Sequence, residues 1–134
     1  MGTGELKNTV KDRIKELDLS EYVQMIDRIS NSDIWELYRM ADDFINLNQQ
    51  EVFGIAIPEA MYYGYKVVVW RAPGPNLIIE NGVSGWLGES NEEILEAVQY
   101  TGDISEEAHK RIAVNFTWES SAKKIFFTLE RKAK

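Results

Sequence analysis

Cysteine is absent from the 134 residues, and histidine occurs once, at His109. These absences exclude a disulfide framework, a thiolate zinc site and a histidine-rich metal centre, so no metal site is expected. Proline is sparse, and no apolar run approaches the ~20 residues of a membrane-spanning helix. The opening MGTGELKNTVK has no apolar signal-peptide core. A reducing, cytoplasmic setting is expected, or peripheral attachment at a membrane surface. Positive charge is also in short supply. Against 22 Asp and Glu stand 15 Lys and Arg, a net charge of −7. Nucleic-acid binding needs a basic face, so no such partner is expected. A small anion is still compatible, because helix N-termini hold phosphate with backbone amides. Neither G-x-G-x-x-G nor G-x-x-x-x-G-K-[ST] nor G-x-S-x-G occurs, which speaks against dinucleotide, P-loop and serine-hydrolase chemistry.

What is present is an alternation of helix and strand patterns. Val10, Ile14 and Leu17 share one helical face and predict a helix over 7–18. EYVQMID, at 21–27, alternates as a short strand does. Asp33 followed by Glu36 resembles a capping box ahead of the stripe Ile34, Leu37, Tyr38 and Ala41. FINL at 44–47 suits a buried parallel strand, and KVVVW at 66–70 is the strongest strand signal in the chain. Between them, residues 55–63 read as a helix, with Pro58 early where its missing N–H is tolerated and Gly64 as the stop. Residues 71–85, rich in Pro, Gly and Asn, read as loop. Helices are expected at 91–100, 105–114 and 117–132. The pattern predicts an α/β class, a Rossmann-like parallel sheet with helices on both faces, in one domain over 1–134.

In such a sheet ligands sit beyond the carboxyl ends of the strands. The loop after FINL, from Asn48 to Gly54, therefore lies at the ligand edge. Glu51 lies in this loop and Glu59 about one turn into the following helix, with seven residues between them. Carboxylates repel phosphate but accept hydrogen bonds from sugar hydroxyls. Backbone amides near Phe53, Gly54 and Ile55 suit a phosphate between the two. Hydroxyl-bearing groups either side of a phosphate describe a nucleotide sugar. Arg28 and Arg71 are candidates for charge at a pyrophosphate, although a solvated surface is the plainer reading of each. Lys66 and His109 read as solvated, and Trp35, Trp70, Trp86 and Trp118 as core or half-buried packing.

EVFGIAIPEAMYYGYKVVVW, at 51–70, resembles the E-x7-E motif of the retaining GT-B glycosyltransferases, the glycosyl transferases group 1 family. The likeness extends through ELYRMADDF, NLIIENGVSGWL and FTWESSAKKI, and covers about residues 7 to 130. It implies the C-terminal, donor-binding half of a GT-B fold, without that domain's first strand-helix-strand unit and without the acceptor-binding half. It implies that Glu51 contacts the donor sugar near the reacting centre, that Glu59 accepts from the ribose, and that the amides of Phe53, Gly54 and Ile55 cradle the pyrophosphate. The donor would be a UDP-, GDP- or ADP-sugar, transferred as a hexosyl group to a glycan or lipid-linked acceptor, with no prosthetic group and no metal. The chain alone would be inactive, with a separate acceptor-binding chain as partner. The alternative is a non-catalytic, GT-B-derived scaffold that self-associates or binds another protein.

Overall fold

The computed structural model describes residues 4–30 and 33–123, apart from the side chain of Trp35. It divides into two compact units, 1–40 and 41–134.

The first unit holds α1 (Lys7–Glu16) and α2 (Ile34–Met40). α1 ends before the expected residue 18 because Asp18 takes a left-handed conformation, φ 55°. The Leu19 amide then donates to Ile14 O at 2.9 Å and the Asp18 amide to Lys15 O at 3.0 Å. This is a Schellman closure with aspartate in the usual glycine place. The expected strand at 21–27 is not formed, and residues 23–30 run without regular structure. Alternation alone does not make a strand. A strand needs a ladder partner, and the described residues of this unit contain no strand to supply one. Lys7 instead pins α1 to this segment by an ion pair with Asp27.

The second unit is a parallel three-stranded sheet, ordered β1 (Asp43–Asn46), β2 (Lys66–Trp70), β3 (Trp86–Gly88). Asp43 pairs with Lys66 and Asn46 with Val69, while Val68 pairs with Trp86. β2 is central, so both its faces must be covered, and Val67, Val68 and Val69 are all buried. Val68 packs against Ile94 and Ala97 of α5 (Asn91–Gln99), with Trp70 and Trp86 partly buried beside them. Val67 and Val69 project to the opposite face. The helices away from α5 are α3 (Ala56–Tyr62), which contacts β1 and β2, and α6 (Ser105–Asn115), which packs on α3. Ile57, Ala60 and Met61 form the fully buried side of α3. Gly64, at φ +81°, turns the chain from α3 into β2.

Four expectations need correction or bounding. Residues 71–85 are not simply loop, for they contain α4 (Pro73–Ile78), with Pro73 at a helix start where no N–H is required. Trp118 is 94% exposed, since nothing among the described residues packs over it. The helix expected over 117–132 is seen at 118–123, and its remainder lies outside the described residues. Lys66, expected to be solvated, is a clamp. Its side chain is only 14% exposed and stands 3.0 Å from Asp43 Oδ2. Its ammonium also donates to Val98 O and Tyr100 O, both at 2.9 Å. It thereby satisfies carbonyls at the end of α5 and ties that helix to the first residues of β1 and β2.

Removing the ammonium would leave a part-buried carboxylate and two carbonyls without their donor. Lys66→Ala is therefore expected to lower stability by about 2–4 kcal/mol, read from urea unfolding. In the first unit, the hydrogen bond and charge of Lys7 hold the Asp27 carboxyl below its ordinary pKa. The stabilisation is complete above the unfolded value of about 3.9 and is lost as pH falls through the lowered native one. Amide exchange in α1 should accelerate below about pH 4, and Asp27→Asn should abolish that acid-triggered step.

Candidate functional site at the carboxyl edge of the sheet

β1 ends at Asn46, and the chain then makes a tight polar turn. The Asn48 amide donates to Asn46 Oδ1 at 2.9 Å, and the Gln50 amide to Asn48 Oδ1 at 3.1 Å. These are two successive Asx turns, in which a side-chain carbonyl replaces a backbone acceptor. The –NH2 ends of the Asn46 and Asn48 side chains donate onward to Glu51. Asn46 Nδ2 lies 3.3 Å and Asn48 Nδ2 3.2 Å from Glu51 Oε2. Glu51 is thus half-buried and held in place at the mouth of the loop.

Gly54 follows at φ +73°, a conformation that disfavours any side chain. A Cβ here would stand 2.9 Å from Glu51 Cγ and 2.8 Å from Ile57 Cδ1. The Gly54 carbonyl accepts from the Ile57 amide at 2.8 Å and the Ile55 carbonyl from the Glu59 amide at 3.3 Å, which starts α3. Among the described residues, nothing accepts from the amides of Phe53, Gly54 or Ile55. Three donors are left at the start of a helix, where the peptide dipoles favour negative charge.

α4 supports this loop from behind. The Gly74 amide donates to Glu51 O at 3.3 Å. A Cβ at Gly74 would fall 2.3 Å from Val52 O and 2.6 Å from Phe53 Cα. Backbone therefore touches backbone, which only glycine permits.

Of the residues singled out in the sequence, the structure gathers Glu51, Phe53, Gly54 and Ile55 into one turn. Glu59 is exposed on α3, and among the described residues no hydrogen bond or ion pair ties it to Glu51. Arg28 is exposed and belongs to the first unit. Arg71 is not free at the end of β2. Its Nε lies 2.5 Å from Glu89 Oε1, beside a cleft of about 370 Å³ that also includes Glu93 and Glu96. Asn46, Asn48 and Gly74 were not singled out in the sequence. Asn-x-Asn directly after a strand was a readable turn signal. The close approach at Gly74 depends on tertiary contact and was not readable.

The family described as glycosyl transferases group 1 matches residues 1–118. The chain belongs to that family. It is 34% identical over 111 residues to a probable sucrose-phosphate synthase of Thermosipho melanesiensis, covering 77% of this chain but 26% of that protein. The chain thus spans about a quarter of the length of this curated relative. In fold it resembles the sucrose-phosphate synthase of Thermosynechococcus elongatus, with a TM-score of 0.78 at 19% identity, over 97% of this chain and 35% of that one. It also resembles Anabaena Alr3699/HepE, solved in complex with UDP-glucose. There the TM-score is 0.75 at 26% identity, over 97% of this chain and 39% of that one. The α/β, Rossmann-like class is that of these GT-B neighbours. No helix among the described residues is long and apolar enough to cross a membrane.

Gly74→Ala gives opposing expectations for helix propensity and for contact. Propensity alone would favour alanine by about 1 kcal/mol. The overlap with Val52 and Phe53 should win, for a net loss of about 1–3 kcal/mol in urea unfolding. A stabilised variant would refute the close approach.

Proposed function

We propose that this chain binds the nucleotide-sugar donor of a retaining glycosyltransferase. The observation that carries this reading is the turn at 48–55, where an oriented carboxylate, Glu51, adjoins three undonated amides on a glycine-shaped backbone. The amides of Phe53, Gly54 and Ile55 take the pyrophosphate. Glu51 faces the donor sugar near the anomeric carbon, and Glu59 accepts from the ribose hydroxyls. The family's E-x7-E spacing supports these roles, as does the nucleotide sugar held by a structural neighbour. No prosthetic group or metal is needed, because the amides supply the electrostatics.

The transferred group is proposed to be hexosyl, passed to a glycan or lipid-linked acceptor with anomeric configuration retained. A UDP-sugar is the first donor to test, with GDP- and ADP-sugars as the others. Acceptor positioning and closure of a two-lobed cleft require surfaces beyond these residues. The isolated chain is therefore expected to bind donor without turnover and to need an acceptor-binding partner. Exposed Val52, Phe53, Ile55 and Leu77 favour a second reading, a family-derived scaffold that self-associates. A stable dimer without nucleotide affinity would select it.

The test is melting temperature with millimolar UDP, GDP, ADP and their sugar conjugates. A ligand at 100 times its dissociation constant adds about 2.7 kcal/mol. One nucleotide family should raise the melting temperature of the wild type, and Glu59→Ala should lose most of that rise. A wild type indifferent to all of them would remove the donor-binding reading.

A further inference from the structure

We infer that Asn46 and Asn48 are positioning residues for Glu51, aiming one of its oxygens at the donor sugar and so setting how well the sugar is distinguished from its absence. This rests on the donor-binding reading above.

The geometry is over-determined. An asparagine amide has an acceptor end and a donor end, and which end faces a neighbour must follow from the surrounding bonds. Here each acceptor end is occupied by a backbone N–H, that of Asn48 on Asn46 and that of Gln50 on Asn48. An N–H cannot share hydrogen with an –NH2 group, so both –NH2 groups must turn the other way. The other way is Glu51. Both reach the same oxygen, Oε2, at 3.3 and 3.2 Å. Bonds from neutral donors to an ionised acceptor are stronger than neutral pairs. Two of them on one oxygen fix the carboxylate plane and leave Oε1, which no described residue bonds, as the oxygen free to accept from a ligand. The backbone turn and the aim of the carboxylate are therefore one device. The turn orients the amides, and the amides orient Glu51. Gly54 completes it, because any Cβ there would press on Glu51 Cγ at 2.9 Å.

The device separates by substitution. Asn46→Asp and Asn48→Asp keep the side-chain oxygen that accepts the backbone N–H, so the turns can form. They replace the donating –NH2 by an oxygen that repels Glu51. The experiment measures binding of UDP-, GDP- and ADP-glucose and of the bare nucleotides by calorimetry, in the full chain. For whichever pair binds the wild type, the ratio of sugar-nucleotide to nucleotide affinity is the readout. Each Asn→Asp variant should lower that ratio by about tenfold, the scale of one lost hydrogen bond to a charged group. Glu51→Ala should lower it at least as far. Adding Asn48→Asp to Glu51→Ala should lower it no further, since coupled residues are not additive. Asn48→Ala, which breaks the turn as well, should lower it too. If both Asn→Asp variants keep the wild-type ratio while Glu51→Ala loses it, the positioning role is overturned and the donor site stands. If the wild type binds none of the six ligands, the donor-binding reading falls and this inference with it.

Discussion

The contact on which the site depends is one between two stretches of backbone, Gly74 against Val52 and Phe53. A helix normally keeps its neighbours at side-chain distance. At Gly74 there is no side chain, and the turn that carries Glu51 rests directly on α4. The position of α4 is then decisive, and it is held at its other end. Arg111 Nε donates to Ile78 O at 2.7 Å, which satisfies a carbonyl that the helix itself leaves open. Arg111 belongs to α6, and α6 packs on α3. α3 in turn begins at Ala56, directly after the supported turn. Turn, α3, α6 and α4 therefore close a circuit, and disturbance of any one element reaches Glu51 through a neighbour.

Much of this unit was legible in the sequence for plain reasons. Lys66–Trp70 reads as a central strand because three consecutive valines can be buried only where both sheet faces are covered. Gly54 is legible as a turn residue because only glycine suits a left-handed backbone without strain. The misreadings have equally local causes. Pro73-Gly74-Pro75 looks like loop punctuation, yet proline in a first helical turn costs nothing when its N–H would have no partner. β3 spans three residues, too few for any alternation to register. The strand expected at 21–27 had alternation but no ladder. Lys66 reads as solvated from the sequence because the helix end that receives its charge is distant along the chain. Only the fold brings Val98 O and Tyr100 O within 2.9 Å of its ammonium.

The charge balance of the second unit bears on what kind of anion site it can offer. Among its described residues, Lys66, Arg71 and Arg111 are each already engaged. Lys66 is spent on Asp43 and two carbonyls, Arg71 on Glu89, and Arg111 on the end of α4 and on Glu80 at 3.7 Å. Arg71, the cation at the end of the central strand, is set beside three glutamates rather than beside the turn. An anion at Phe53–Ile55 would thus be met by amides in this unit. Amides suit the task in an acidic protein. They carry no net charge to be neutralised by the surrounding carboxylates, and their direction is set by the backbone rather than by a flexible side chain. The net charge of −7 then works in the same sense as the architecture. Long-range attraction for a free anion is weak, so affinity for one must come from short, directional bonds.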